Sequence, residues 1–300
     1  RFVLIVLDRS GRSIRSEMQF FSRSVSDLSD AERRFSLSAS DIVLMNPVTR
    51  TCPTFRTSRD ASLTRAVYQR MPTLAASKWN AALKFPLDVG RESSSFAQTE
   101  HAGYLPLYEG KYFHQYDHRW LTCDGEDDRE PTGPERLDPT FASRTRYWYP
   151  KADVLSRFGD MWSSSWVIVW RDITGNEKQR TFIASVVPSL AVAHSAWLLF
   201  AMRDDLALTT SLLASLNAFV FDYVARQKVG GTHMSAFIVG QLPVLPPDVY
   251  DVDAAWCKGT QLREWFLPRV MELTYTAWDL EHFACDVGVG GPPCRWDPER

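Results

Sequence analysis

The stretch Asn217–Pro247, NAFVFDYVARQKVGGTHMSAFIVGQLPVLPP, constrains this chain more than any other. Apolar residues at Leu213, Leu216, Phe219, Val220 and Val224 recur at helical spacing and predict one face turned to a core. Arg226 and Lys228 fall in the last turn of that helix, and Gly230-Gly231 then ends it, as a helix C-terminus prefers. Thr232 is placed to cap a second short helix, and Leu242 to Pro247 leaves as an extended segment stopped by prolines. Two cations, a flexible turn and the hydrogen-bonding pair Thr232-His233 therefore converge on one point. Such a point suits gripping a phosphate backbone and reaching base edges.

The stretch resembles the end of the target-recognition region in fused adenine-N6 DNA methyltransferases, the type IIG restriction-modification enzymes and related phage-defence methylases. Other stretches resemble the same family and follow in its order: SASDIVLMNPVTRTCPTFRTSRDASLTRAVYQRMP (Ser38 to Pro72), YLPLYEGKYFHQYDHRW (Tyr104 to Trp120), RYWYP (Arg146 to Pro150), RDITGNEKQRTFIASVVP (Arg171 to Pro188) and GPPCRWDPER (Gly291 to Arg300). The resemblance covers most of the chain. It implies a DNA-binding piece of such an enzyme, with double-stranded DNA and the catalytic domain of the same parent chain as partners. S-adenosylmethionine is implied for the parent enzyme, and no cofactor for this piece.

Composition bounds the alternatives. With 300 residues, 45% hydrophobic and 23% charged, the chain is globular and long enough for one large domain or two ordinary ones. A net charge of −2 and a pI near 6.3 argue against a uniformly basic nucleic-acid binder. The distribution is uneven: Arg1 to Arg70 carries twelve arginines against seven acids, a net of +5, while Asp251 to Arg300 nets −4. Five widely spaced cysteines without a CxxC pair suit a reducing compartment, and a cytoplasmic location is expected. No apolar run approaches the ~20 residues of a membrane span. Phe2 to Leu7, closed by Asp8-Arg9, reads as a buried strand, and a chain that begins inside it without Met looks cut from something larger.

The expected fold class is α+β: a mixed sheet and hairpin target-recognition module, a helical C-terminal part, and a remnant of an α/β methyltransferase sheet. Residues 1–25 are expected to be the edge of that preceding catalytic domain, 26–250 the DNA-binding domain and 251–300 a helical segment. Ser38 and Ser58 are candidate N-caps, with Leu63, Ala66 and Val67 facing inward on the second helix and Arg59, Arg65 and Arg70 outward. Ser77 to Thr99 reads as a connector, and the acidic run Cys123 to Pro139 as a surface loop whose composition leaves disorder open. Trp166 to Ile173 and Thr181 to Val187 form a predicted hairpin through Gly175-Asn176. Asp204 to Lys228 is expected to be helical. Trp265 to Tyr275 and Trp278 to Cys285 follow as helices, with Pro268 in a first turn and Thr276…Asp279 as a capping box. Trp162, Trp166 and Trp170 are expected to be buried.

Motifs for catalysis are missing. The one Asn-Pro, Asn46-Pro47, lacks the second proline and the aromatic of an amino-methyltransferase loop and reads as a turn. Gly288-Val-Gly290-Gly291 follows no strand and is not a phosphate loop. Asp88 with Glu109-Gly-Lys111 imitates a metal-dependent nuclease, where paired carboxylates hold Mg²⁺ and lysine assists the attacking water; this is the enzymatic alternative. A structural or interaction domain without DNA contact is the other. His114 and His118 are expected on one face of a strand, with Tyr112, Phe113, Tyr116 and Trp120 lining a DNA-facing or interdomain surface. No metal site is expected. The candidate DNA contacts are Arg226, Lys228, Thr232 and His233, then Arg171, Asn176 and Arg180, because Arg and Asn pair bidentately with guanine and adenine edges. Against this stands a hairpin turn tied by Asp172–Arg180 or Glu177–Arg171 ion pairs.

Overall fold

The computed structural model describes residues 14–202 and 204–299. Helices alternate with several small antiparallel sheets, so the fold class is α+β. The chain divides into two compact units, the first ending at Met71 and the second starting at Pro72. The predicted strand Phe2 to Leu7 lies outside the described residues.

In the first unit β1 (Arg15–Met18) pairs antiparallel with β2 (Phe35–Ser38), from Arg15 opposite Ser38 to Met18 opposite Phe35. Helix α1 (Ala39–Met45) starts where β2 ends, on a capping box in which Ser38 Oγ accepts from the Asp41 N–H at 3.1 Å and Asp41 accepts from the Ser38 N–H at 3.0 Å. Asn46 ends α1, its amide donating to the Thr51 carbonyl at 2.7 Å, and so is the turn expected of it. Helix α2 (Ser58–Arg70) is capped by Thr57, one residue earlier than predicted. Its buried stripe is Ala61, Thr64 and Tyr68, whereas Leu63 is 46% exposed. Both stripes have helical spacing. The 3.6 Å ion pair of Arg65 with the buried Asp41 favours the rotation seen.

The second unit contains, in order, β3 (Ala82–Lys84), α3 (Val89–Glu92), β4 (Tyr104–Pro106), β5 (Thr122–Asp124), β6 (Asp127–Arg129), α4 (Gly133–Leu137), β7 (Trp148–Pro150) and α5 (Lys151–Phe158). Then come β8 (Val167–Arg171), β9 (Ala184–Val187), β10 (Ala196–Phe200), α6 (Leu208–Leu216), α7 (Phe219–Lys228), α8 (Ala236–Val239), β11 (Asp253–Ala254), β12 (Cys257–Gln261), α9 (Leu262–Thr274) and α10 (Glu281–Asp286). The core is an antiparallel sheet of order β3-β10-β8-β9. Its inner strands are buried almost throughout, as strands covered on both faces must be. The predicted hairpin is β8–β9, with Val167 opposite Val187 and Trp170 opposite Ala184. Trp162, Trp166 and Trp170 are buried, and the last two donate their indole N–H to Asp286 at 2.7 Å and the Met234 carbonyl at 2.8 Å.

Several local expectations fail for identifiable reasons. The helix predicted over Asp204 to Lys228 is two helices bent by 55°. Asn217 sits at the break: its amide donates to the Ala184 carbonyl at 2.9 Å and accepts from the Ala184 N–H at 3.1 Å, pinning the chain to β9. The break resets the helical phase, so Leu213, Leu216 and Val224 are buried while Phe219 and Val220 are 78% and 51% exposed. The acidic run is ordered, as the hairpin β5–β6 and α4, because Arg129 engages both Asp124 and Glu135 and Glu135 closes a capping box with Thr132. Ser77 to Thr99 is no mere connector, since it supplies β3 to the main sheet. Pro268 lies inside α9, which begins earlier than predicted, at Leu262. The Thr276…Asp279 box does not form: Asp279 faces the His118 Nε2 at 2.8 Å and Thr276 accepts from Arg119. His114 and His118 are in a loop rather than a strand, and His118 is fully buried.

Candidate functional site

Helix α7 closes with the Val229 N–H on the Ala225 carbonyl at 2.9 Å. A Cβ added at Gly230 or Gly231 would meet nothing within 4 Å, so this turn stands open. The chain then lies along the residues that follow β8. The Thr232 carbonyl accepts from the Thr174 N–H at 2.9 Å, Ile173 bridges His233, and the Met234 N–H donates to the Asp172 carbonyl at 2.7 Å. The carbonyl bond to Thr174, and not a cap, is what Thr232 supplies; Ser235 occupies the N-cap of α8.

One side chain at this edge is held in a fixed direction. The His233 ring is 64% exposed, with Nδ1 2.5 Å from the Asp172 carboxylate, whose side chain is 9% exposed. The other Asp172 oxygen accepts from the Trp197 indole at 2.9 Å, and Trp197 stacks on Trp170 at 6.0 Å and 8°. With Nδ1 engaged by the carboxylate, Nε2 is the ring nitrogen that can contact another group. A core-anchored carboxylate thus orients a surface imidazole. Sequence spacing does not disclose this trio, because Asp172, Trp197 and His233 meet only through sheet pairing.

The predicted cations are partly used within the fold. The Arg226 guanidinium donates to the carbonyls of Lys178 and Gln179 at 2.9 and 3.0 Å and lies 3.5 Å from Asp222. Asp222, itself buried, accepts from the Thr181 and Phe182 N–H groups at 2.7 and 2.8 Å. Together they clamp the loop that carries Asn176 in its turn. Arg171 is directed at the Phe113 carbonyl, with Nε at 3.0 Å, and burial brings its guanidinium down to about 10. Arg180 lies with its guanidinium carbon 3.9 Å above the Phe219 ring. Burial also lowers the Lys228 ammonium, to about 8. The ion pairs expected to tie the hairpin are not what holds it, since Asp172 engages His233 and Trp197 and Arg171 engages Phe113. The structure therefore brings Arg226, Thr232 and His233 against the loop of Asn176, while Arg171 turns away toward Phe113.

The nuclease-like residues have other partners. Asp88 caps α3, accepting from the Gly90 and Arg91 N–H groups at 3.0 and 3.3 Å. Lys111 bridges Glu109 at 3.2 Å and Asp128 at 2.7 Å. Among the described residues no group of three or more His, Cys, Asp or Glu side chains is placed to hold a metal ion. Compared with known proteins, the chain matches no family model and no curated sequence.

Proposed function

We propose that this chain is the DNA target-recognition portion of an adenine-N6 methyltransferase of a restriction-modification or phage-defence system. The observation that carries the reading is the edge from Gly230 to His233, where side-chain-free backbone adjoins one exposed imidazole anchored by a buried carboxylate. Bare backbone lets a phosphate approach closely, and an oriented imidazole offers a directed contact to a base edge. The motifs quoted above support the same reading. In it, Thr232, His233 and Asn176 reach the duplex, and Lys228 and Arg180 supply positive charge beside them. Arg226 and Arg171 position the loops through backbone carbonyls. The catalytic domain of the parent enzyme brings S-adenosylmethionine and extrudes the adenine.

The test is selection of duplexes from a randomised pool by the 300-residue chain. One short motif should be enriched, and His233→Ala should weaken binding to it by ~1–3 kcal/mol while scrambled duplex is bound as before. If no duplex is retained, the chain is an interaction domain without DNA contact. If His233→Ala leaves discrimination intact, the reading of this edge fails.

A further inference from the structure

A cavity of about 580 Å³ lies in the second unit, a size suited to a small organic ring system. One wall is the turn His114 to Asp117, closed by the His114 N–H on the Asp117 carbonyl at 2.7 Å and the reverse bond at 3.2 Å. Tyr116 sits there at φ 64°, a conformation that costs a non-glycine residue free energy and persists only when the surroundings impose it. The surroundings do impose it. The Tyr116 N–H donates to the Ala184 carbonyl at 3.1 Å, and Gln115 donates to Asn217, which is itself fastened to Ala184.

The rest of the lining includes aromatic and cationic groups. Arg136 lies 5.8 Å from the Trp120 ring and 5.2 Å from the Trp296 ring, while its guanidinium pairs with Asp117 at 2.8 Å. The His114 ring lies 4.4 Å from Trp120 at 32°. Burial, reinforced by Arg171 and Arg180, lowers His114 to about 4, so the ring is neutral at physiological pH. Charge decides what such a cavity accepts. Arg136 and Arg180 are outnumbered by Asp117, Glu130, Glu272 and Asp297, so a phosphate is disfavoured. A flat, uncharged ring with polar edges fits aromatic walls flanked by an imidazole and an amide.

We propose that this cavity receives a single unpaired nucleobase, displaced from the duplex that the recognition edge engages. The inference rests on the DNA-recognition reading, and the Trp296 ring supplies its stacking surface, since His114 and Trp120 already lie against each other. Short duplexes of one sequence provide the test: fully paired, carrying one unpaired adenine, carrying one unpaired thymine, and carrying an abasic residue at that place. The chain should bind at least one unpaired-base duplex about 5- to 150-fold more tightly than the abasic one, the range that base–aromatic stacking supplies. Trp296→Ala should erase that preference and leave affinity for the paired duplex unchanged. Equal binding of unpaired-base and abasic duplexes, or a preference that survives Trp296→Ala, overturns the cavity's role while leaving DNA recognition standing. If none of the duplexes binds, the DNA-recognition reading fails and the cavity's role falls with it. The wild-type comparison stands even if the variant does not fold.

Discussion

Lys228 is charged below about pH 8 and neutral above it, because burial makes the ammonium form costly. A phosphate beside it would favour the charged form, so binding must take up a proton as the pH rises past that value. The expectation is that affinity for mixed-sequence duplex declines from about pH 8 upward in the wild type and stays flat in Lys228→Arg, whose guanidinium remains charged. Anisotropy titrations across that range check it; identical profiles would remove Lys228 from the DNA contact. His114 works in the opposite direction on stability. Its folded value of about 4 lies below the ordinary 6.5, so the unfolded chain binds the extra proton between these limits. Its contribution is present above pH 6.5 and is lost as the pH falls toward 4. Allowing for partial exposure, roughly 1–2 kcal/mol should disappear over that interval and be retained in His114→Gln, measured by urea denaturation.

Asn217 shows at the element scale why periodicity alone misreads this chain. The apolar stripe continues through it in sequence, yet its amide forms two bonds with Ala184, and these outweigh an uninterrupted helix. Where elements follow from local chemistry, the sequence is a sound guide: the Ser38 N-cap, the β8–β9 hairpin and the buried tryptophans are all as predicted. Where a distant partner decides, it is not. The acidic hairpin is ordered by Arg129, the rotation of α2 is favoured by Asp41, and the orientation of His233 depends on a carboxylate 61 positions away. His233 itself was readable as a candidate from its place after Gly-Gly; the anchor beneath it was not. Replacing Asn217 by Ala should leave the buried Ala184 N–H without its side-chain acceptor, at about 1–3 kcal/mol, while the Ala184 carbonyl keeps the Tyr116 N–H. The urea midpoint should drop with the slope unchanged; no drop would mean that the bend between α6 and α7 has another cause.

Charge is segregated at the scale of the whole molecule. The unit ending at Met71 nets +5, which leaves 22 basic and 29 acidic residues, a net of −7, in the unit from Pro72 onward. Attraction to a duplex must then come from local groups and not from the overall field. Arg226 is already committed to two carbonyls, so its loss should loosen the loop of Asn176 without releasing a counterion. The log–log salt slope of binding should therefore flatten by about 0.9 in Lys228→Ala and no further in the double variant with Arg226→Ala. Arg→Ala changes barely alter helix propensity, so thermal melting should confirm that these variants remain folded. If the folded variants all keep the wild-type slope, none of these cations touches phosphate. The open Gly230-Gly231 turn would then serve as a hinge within the parent protein, and DNA contact would have to be sought on another face.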